Sequence, residues 1–218
     1  MTKPLALQLY SVREQMARDF EGTIRRVAGI GYAGVEATRI PDGMTTTEAK
    51  ALFDELGLAV CAAHAPLPLG EQTAVTLDFV AALGTDRLVC PWLPPEEYAT
   101  LDATRRTIDR LNEAAAVCAA HGLRLGVHNH WFEFEPIPGA AVRPYEVWLD
   151  RLDPAIFIEL DTYWAQVGGV EPLAALRRLG ARVELLHVKD GPADAIPSDM
   201  TAVGQGTLDY TAIIPAAT

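Results

Sequence analysis

The sequence is poor in the features that mark secreted and membrane proteins. It has three cysteines, Cys61, Cys90 and Cys118, and no Cys-x-x-Cys pair. An odd count, with two of the thiols inside apolar runs, predicts buried thiols in a reducing compartment rather than a disulfide framework. No run approaches the ~20 apolar residues of a membrane helix. The start, Met1–Pro4, lacks the apolar stretch of a secretory signal peptide. We therefore expect a cytoplasmic protein with no membrane partner.

Positive charge is also scarce. The chain has 18 Lys and Arg residues against 29 Asp and Glu residues, which gives a net charge of −11. Because phosphate contacts to Lys and Arg dominate nucleic-acid binding, this balance disfavours a nucleic-acid partner. A substrate with several phosphates would need a local basic cluster, and the sequence shows none. The charge is compatible with a small-molecule enzyme but not specific for one.

The pattern of apolar residues alternates between short strands and helices along all 218 residues. One chain of this length can bury one sizeable core, so we expect a single domain over 1–218. Many of the predicted helices end in glycine, as at Gly31, Gly84, Gly122 and Gly180. The predicted strands are Leu5–Tyr10, Gly34–Ala37, Leu58–His64, Arg87–Trp92, Leu123–His128, Ile156–Leu160 and Val183–Val188.

Such alternation predicts a parallel α/β sheet, because parallel strands need crossover helices. The sheet could be open and doubly wound or closed into a barrel. A G-x-G-x-x-G fingerprint is missing after the first strand, and polar residues end strands two, three, five, six and seven. Only a barrel brings all those strand ends to one mouth. We therefore predict a (β/α)8-type TIM barrel, incomplete, with seven βα units and no eighth strand.

Histidine is rare, and its placement is informative. Four of the five histidines, His64, His128, His130 and His187, fall at the ends of predicted strands. Strand C-terminal ends carry the active site in α/β barrels. The stretch richest in potentially catalytic side chains, Val127–Phe134, holds two of these imidazoles and a carboxylate. It predicts a divalent-metal and acid/base site, and the competing interpretation is a set of hydrogen-bonded core histidines.

Three residues at the ends of consecutive strands form a mixed oxygen and nitrogen ligand set: Glu133, Asp161 and His187. Such a set suits Mn²⁺, Mg²⁺, Co²⁺ or Zn²⁺, and ligand type alone does not choose between them. Lys189 shares a face of its strand with His187, because side chains alternate with period two. Singly these signals are weak, since a strand-end Asp is often a helix cap.

Other polar and aromatic residues are ambiguous. Glu36 and His64 lie at suitable strand ends but could be structural, and Lys189 with Asp190 could form a solvated turn. Trp164 could be a loop anchor or a substrate platform. Inside a barrel Glu159 would need a partner such as an arginine, and the sequence assigns none.

Several segments, taken in order, resemble the sugar phosphate isomerase/epimerase family of the xylose isomerase-like barrel superfamily. The segments are His128-Asn129-His130 with Glu133-Phe134, Leu160-Asp161-Thr162-Tyr163-Trp164, His187-Val188-Lys189-Asp190, and Gly204-Gln205-Gly206 with Leu208-Asp209-Tyr210. The resemblance covers essentially the whole chain. It implies a divalent-metal-dependent enzyme of carbohydrate metabolism that isomerises or epimerises a sugar, sugar phosphate or related polyol ketone through an enediolate.

The resemblance also implies roles for single residues. Glu133, Asp161 and His187 would bind the metal, with Glu133 as the favoured base. His128 and Lys189 would stabilise the enediolate oxygens. Substrate contacts would come from Glu36, His64, His130 and Trp164.

The chain departs from the family at two places. Many relatives carry the strand-five glutamate where this chain has Gly126, and their fourth ligand lies on an eighth strand that we do not find before Thr218. We favour a truncated form of a longer enzyme, with weak or absent activity. Alternatively, a partner chain closes the gap in a homo-oligomer, or one strand is miscounted.

Three alternative functions share the barrel fold. A cyclitol or keto-sugar dehydratase of the same superfamily would use the same ligands. A non-catalytic barrel could bind a sugar or serve in assembly. A barrel-fold DNA-repair endonuclease is disfavoured by five histidines and a charge of −11.

Overall fold

A computed structural model describes residues 4–194, 196 and 199–217 of the chain. Its strands are parallel, and their order in the sheet is their order in the chain. They are Ala6–Gln8 (β1), Gly34–Ala37 (β2), Ala59–His64 (β3), Arg87–Cys90 (β4), Arg124–His128 (β5), Phe157–Asp161 (β6) and Val183–His187 (β7). The described residues contain no eighth strand. The predicted α/β fold class, with seven strand–helix units and no eighth strand, is confirmed.

Helices connect the successive strands. The α-helices are Arg13–Arg18 (α1), Phe20–Ile30 (α2), Thr46–Glu55 (α3), Gln72–Leu83 (α4), Leu101–Ala120 (α5), Pro144–Arg151 (α6), Thr162–Val167 (α7), Pro172–Leu179 (α8) and Tyr210–Ala216 (α9). Short 3₁₀ turns occupy Leu9–Val12, Pro95–Tyr98 and Gly180–Arg182. None of the helices in the described ranges is long and apolar enough to cross a membrane.

Local signals in the sequence set the helix ends. Thr45 caps α3 in a capping box, in which its hydroxyl accepts from Glu48 N and the Glu48 carboxylate accepts from Thr45 N. Asp19 caps α2 by accepting from Gly22 N at 2.9 Å. Gly31 and Gly84 end α2 and α4 in the left-handed conformation that glycine adopts without steric cost.

The two largest differences from the sequence-based prediction are at the first strand and directly after β6. The first strand is only Ala6–Gln8, because the chain turns into a 3₁₀ helix at Leu9–Val12 and then into α1. The short helix α7 is an addition to the predicted elements. It begins directly after β6, because the Asp161 carboxylate accepts from Trp164 N at 2.9 Å and caps it.

The chain divides into two compact units. The first comprises Met1–Cys90 and Val117–Leu125, and the second Pro91–Ala116 and Gly126–Thr218. In the first unit β1, β2, β3 and β4 pair side by side. In the second, β6 lies between β5 and β7. The single domain over 1–218 stays a prediction.

Candidate metal centre

The second unit gathers polar side chains at the ends of β5, β6 and β7. The strand register sets Glu159 beside His128 and sets Asp161 beside His187. The second pairing follows an irregularity in the β6–β7 register between Ile158 and Glu159, after which each β6 residue pairs one residue further along β7. That shift brings His187 level with Asp161.

Glu159 bridges two histidines. Its Oε2 lies 3.1 Å from His128 Nδ1 and 3.1 Å from His187 Nε2. The three side chains are almost fully buried, and the two ring centroids are 4.5 Å apart. Each residue offers one ligand atom, and these atoms lie within 4.8 Å of one another. We call these three residues the His–Glu–His group.

The donor set of this group fits a divalent ion. Nitrogen and oxygen ligands bind Zn²⁺ and similar ions at about 2.0–2.2 Å. Two ligands on one such ion are therefore about 3.0–3.5 Å apart in tetrahedral or octahedral geometry. The 3.1 Å contacts from Glu159 fall in that range. Two imidazoles and a carboxylate could hold Zn²⁺, Mn²⁺ or Co²⁺, and the donor types do not choose among them.

Asp161 lies on the other side of the same two rings. Its Oδ2 is 4.0 Å from His128 Nε2 and 3.9 Å from His187 Nδ1. Lys189 Nζ is 2.7 Å from this oxygen and compensates the charge of a fully buried carboxylate. The two imidazoles therefore lie between two carboxylates, those of Glu159 and Asp161, and the ammonium group of Lys189 contacts the second of them.

Asn129 fixes the position of Asp161. Its buried amide accepts from Asp161 N at 2.8 Å and donates to Asp161 O at 3.1 Å. This pair of bonds joins the end of β5 to the end of β6 beyond their last register pair. It holds the Asp161 backbone where its carboxylate faces the two imidazoles.

Glu133 is held in a turn after β5. Its Oε2 accepts from His130 N at 2.8 Å, and its side chain is buried. Burial raises the pKa of this carboxyl to about 8, although the bond from His130 N lowers it in part. Glu133 is outside the His–Glu–His group, in which Glu159 supplies the carboxylate. The metal-binding roles of Glu133 and Asp161 stay predictions.

In the first unit, His64 and Glu36 contact one another. His64 Nε2 lies 3.2 Å from Glu36 Oε2, and both side chains are buried. Gln8 Nε2 lies 3.3 Å from His64 Nδ1. With Gln8 as the donor, His64 carries its proton on Nε2 and directs it to Glu36. The predicted substrate contacts of both residues stay predictions.

Aromatic side chains of the second unit pack near Lys189. Trp131 and Trp164 are partly exposed, with ring centroids 5.2 Å apart, and Lys189 Nζ lies 5.8 Å from the Trp164 centroid. His130 stacks on Phe132 at 5.6 Å and packs against His128 at 5.1 Å. The partly exposed rings of Trp131 and Trp164 are of the kind that can contact the C–H face of a sugar.

Asp190 organises the loop after β7. Its buried carboxylate accepts from four backbone N–H groups, those of Gly191, Leu208, Gly204 and Gly206, at 2.8–3.2 Å. A Cβ at Gly206 would lie 2.1 Å from Asp190 Oδ1, so glycine is required there. The Gly204-Gln205-Gly206 segment therefore wraps the Asp190 carboxylate, and this residue is not part of a solvated turn.

The sequence-based prediction missed Glu159 and Asn129. The sequence indicated that Glu159 would need a partner inside a barrel, but it did not assign one. That partner is a pair of histidines from two other strands. Asn129, between two histidines in the sequence, carried no separate signal.

Comparisons with known proteins identify the fold family. The protein-family model described as xylose isomerase-like TIM barrel matches residues 24–217. The chain belongs to this family. The predicted incomplete TIM barrel and the predicted superfamily are therefore confirmed. A search of curated proteins found no match.

Solved structures share the fold of this xylose isomerase-like chain. A sugar phosphate isomerase/epimerase from Parabacteroides distasonis is 24% identical, with a TM-score of 0.79 over 100% of this chain and 82% of that one. The probable 3-DHS dehydratase AsbF from Bacillus anthracis is 14% identical, with a TM-score of 0.75 over 98% and 88%. The IOLI protein, described with a bound zinc atom, is 13% identical, with a TM-score of 0.70 over 99% and 84%.

Proposed function

We propose that this xylose isomerase-like chain is a divalent-metal-dependent isomerase or epimerase acting on a sugar, sugar phosphate or related polyol ketone. The observation that carries the proposal is the Glu159 oxygen 3.1 Å from both His128 Nδ1 and His187 Nε2. A buried carboxylate shared by two imidazoles is a ready ligand set. The nearby Lys189–Asp161 pair and the tryptophan rings supply polar and apolar contacts for a substrate.

Each side chain has a part in this proposal. A bound divalent ion would polarise the substrate carbonyl and make the neighbouring C–H more acidic. Lys189, 23% exposed beside Asp161, would donate a hydrogen bond to a substrate oxygen and stabilise an enediolate. Glu133 would be the proton acceptor in its ionised form. Because burial raises the pKa of the metal-free carboxyl to about 8, a bound cation would have to favour its ionisation before it could act near neutral pH.

The proposal is tested by hydrogen exchange. The metal-free protein is titrated with Mn²⁺, and then incubated in D₂O with a ketohexose, its phosphate ester and an inosose. We expect deuterium to enter the carbon next to the carbonyl of one substrate only when Mn²⁺ is present. His187→Ala should abolish both Mn²⁺ binding and exchange. Exchange is sensitive enough to detect slow turnover.

The alternative functions give different results in the same assay. A dehydratase would release water and form an unsaturated or dicarbonyl product. A binding module would retain a sugar without exchange. Failure of the parent protein to bind Mn²⁺, Co²⁺ or Zn²⁺ would overturn the proposal.

A further inference from the structure

Lys189 lies beyond the end of the β6–β7 ladder, whose last register pair is Asp161 with His187. A neighbouring strand would normally bind the backbone N–H and C=O of such a residue. Here the side-chain hydroxyl of Tyr210, at the start of α9, does so. It accepts from Lys189 N at 3.1 Å and donates to Lys189 O. One phenol therefore replaces the strand contacts of this residue.

The same hydroxyl reaches His187 through a second side chain. Tyr210 Oη lies 2.8 Å from Thr162 Oγ1, and Thr162 Oγ1 lies 3.2 Å from His187 O. Thr162 is fully buried and directly follows Asp161. The two hydroxyls thus join α9, the start of α7 and the end of β7.

The protons in this network can be counted. Lys189 O is only an acceptor, so its contact uses the single proton of Tyr210. In the contact between the two hydroxyls, Thr162 must then be the donor and Tyr210 the acceptor. The single hydroxyl proton of Thr162 can reach His187 O at the same time only in a three-centre hydrogen bond. All contacts therefore require Tyr210 in its neutral, protonated form. Burial raises the pKa of Tyr210 to about 12, so it keeps this proton at neutral pH.

The tyrosine itself is firmly placed. Asp209 caps α9 by accepting from Thr211 N at 3.0 Å. On either side of Tyr210 in the sequence, Leu208 and Ile213 pack with the buried ring of Tyr163 in a hydrophobic cluster. The ring of Tyr210 packs against this cluster as well. The hydroxyl can therefore constrain the residues it contacts rather than follow them.

We propose that Tyr210 and Thr162 are positioning residues of the metal centre, which hold the backbone of His187 and Lys189 so that the imidazole and the ammonium group keep their places beside Glu159 and Asp161. This inference rests on the proposed function, because it assigns the two hydroxyls to the orientation of a metal-binding imidazole. Outer partners of metal ligands commonly change affinity by about 10–100-fold when they are removed.

The test compares three variants with a matched control. Tyr210→Phe removes the hydroxyl contacts to Lys189 and Thr162. Thr162→Val removes the contacts of Thr162 to His187 and Tyr210, and Thr162→Ser keeps a hydroxyl. Tyr145→Phe is the control, since Tyr145 lies in α6 with its ring stacked on Phe134 at 4.4 Å. The affinity for Mn²⁺ is measured by electron paramagnetic resonance, and ligand geometry by the visible spectrum of the Co²⁺-loaded protein.

We expect Tyr210→Phe and Thr162→Val to weaken Mn²⁺ binding about tenfold and to change the Co²⁺ spectrum. Thr162→Ser should restore affinity to within about twofold of the parent, a margin well below the effect of losing an outer partner. Tyr145→Phe should change neither quantity. A role in stability alone would lower the melting temperature without altering the spectrum of the folded protein.

The possible failures are distinct. If the parent binds the metal and both Tyr210→Phe and Thr162→Val bind it equally well, the inference is overturned and the proposed function stands. If the parent binds no metal, the proposed function fails and the positioning role fails with it. If Tyr210→Phe does not fold, the Thr162→Val and Thr162→Ser pair decides the question.

Discussion

The ring of Phe157 occupies the space that a side chain at position 126 would need. A Cβ placed on Gly126 would lie 2.4 Å from Phe157 Cε2 and 2.5 Å from Cζ. Phe157 is buried and opposes Gly126 directly in the β5–β6 register. A glutamate at this position, which the family resemblance implies for many relatives, cannot be accommodated unless Phe157 moves. In this chain the buried carboxylate nearest the histidines comes instead from Glu159.

Gly126→Ala should therefore destabilise the protein. The added methyl group would force the Phe157 ring to move, and overpacking of this kind costs about 1–3 kcal/mol. Urea unfolding measures the change, and Phe157→Leu in the same chain should recover part of it. The control is Gly29→Ala in α2, where a Cβ meets nothing within 4 Å. That change should stabilise the helix by about 0.5–1 kcal/mol. Equal stability of Gly126→Ala and the parent would contradict the packing argument.

Glu159→Gln should abolish tight metal binding while keeping the shape of the side chain. The amide can still accept a hydrogen bond from one imidazole, but it lacks the charge that holds a divalent ion. We expect the affinity for Mn²⁺ to fall at least about 100-fold, more than the usual effect of an outer partner. Isothermal titration measures it. Glu135→Gln, at an exposed position nearby, should bind as the parent does. Unchanged binding in Glu159→Gln would remove Glu159 from the ligand set.

Asp190→Asn should destabilise the loop after β7. The amide nitrogen of asparagine cannot accept from the backbone N–H groups that Asp190 Oδ2 now binds, those of Gly204 and Gly206. Leaving a fully buried donor unsatisfied costs about 1–3 kcal/mol, and these two bonds are partly buried, so we expect a loss near the lower end of that range. Asp194→Asn, exposed in the same loop, is the control and should have little effect.

The effect of Asp190 should also depend on pH. Burial raises the pKa of this carboxyl, but the bonds from Gly206, Leu208, Gly204 and Gly191 together leave it below its usual value. A depressed folded-state pKa gives stability that is present above the unfolded value, about 3.9, and is lost as the pH falls through the folded value. The difference in unfolding free energy between parent and Asp190→Asn should therefore shrink below about pH 4. A constant difference down to pH 2 would be the contrary result.

Glu133 should give the opposite pH dependence in the metal-free protein. Burial raises its folded-state pKa to about 8, above the unfolded value of about 4.3. Between these values the folded state keeps a proton that the unfolded state releases, so stability falls as the pH rises. Glu133→Gln has no carboxyl to titrate at this position. Its unfolding free energy should therefore decline less than that of the parent between pH 5 and 8. If the unfolding free energies of the parent and of Glu133→Gln changed in parallel with pH, the raised pKa would be contradicted.

The same variant tests the predicted catalytic role of Glu133. If Glu133 is the base, Glu133→Gln abolishes deuterium exchange but retains Mn²⁺ binding by the His–Glu–His group. Loss of Mn²⁺ binding as well would support its predicted role as a ligand. Full exchange in Glu133→Gln would assign the proton transfer to another carboxylate.

Several elements could be predicted closely because their signals are local. The helix Gln72–Leu83 ends where Gly84 follows, and α3 begins at the capping box of Thr45 and Glu48. Capping bonds and left-handed glycines act within four residues, so the sequence states them directly. The short helix α7 escaped prediction because its cap, Asp161, was assigned to metal binding, although its Oδ1 binds Trp164 N.

By itself the sequence determined the alternation of strands and helices, the fold family and the strand ends at which the polar residues collect. Only the tertiary structure decided which of those residues contact one another. The register irregularity after Ile158 sets His187 level with Asp161, and the space filled by Phe157 leaves no place for a side chain at Gly126. Strand register and packing depend on contacts between residues far apart in the chain, which no local pattern specifies.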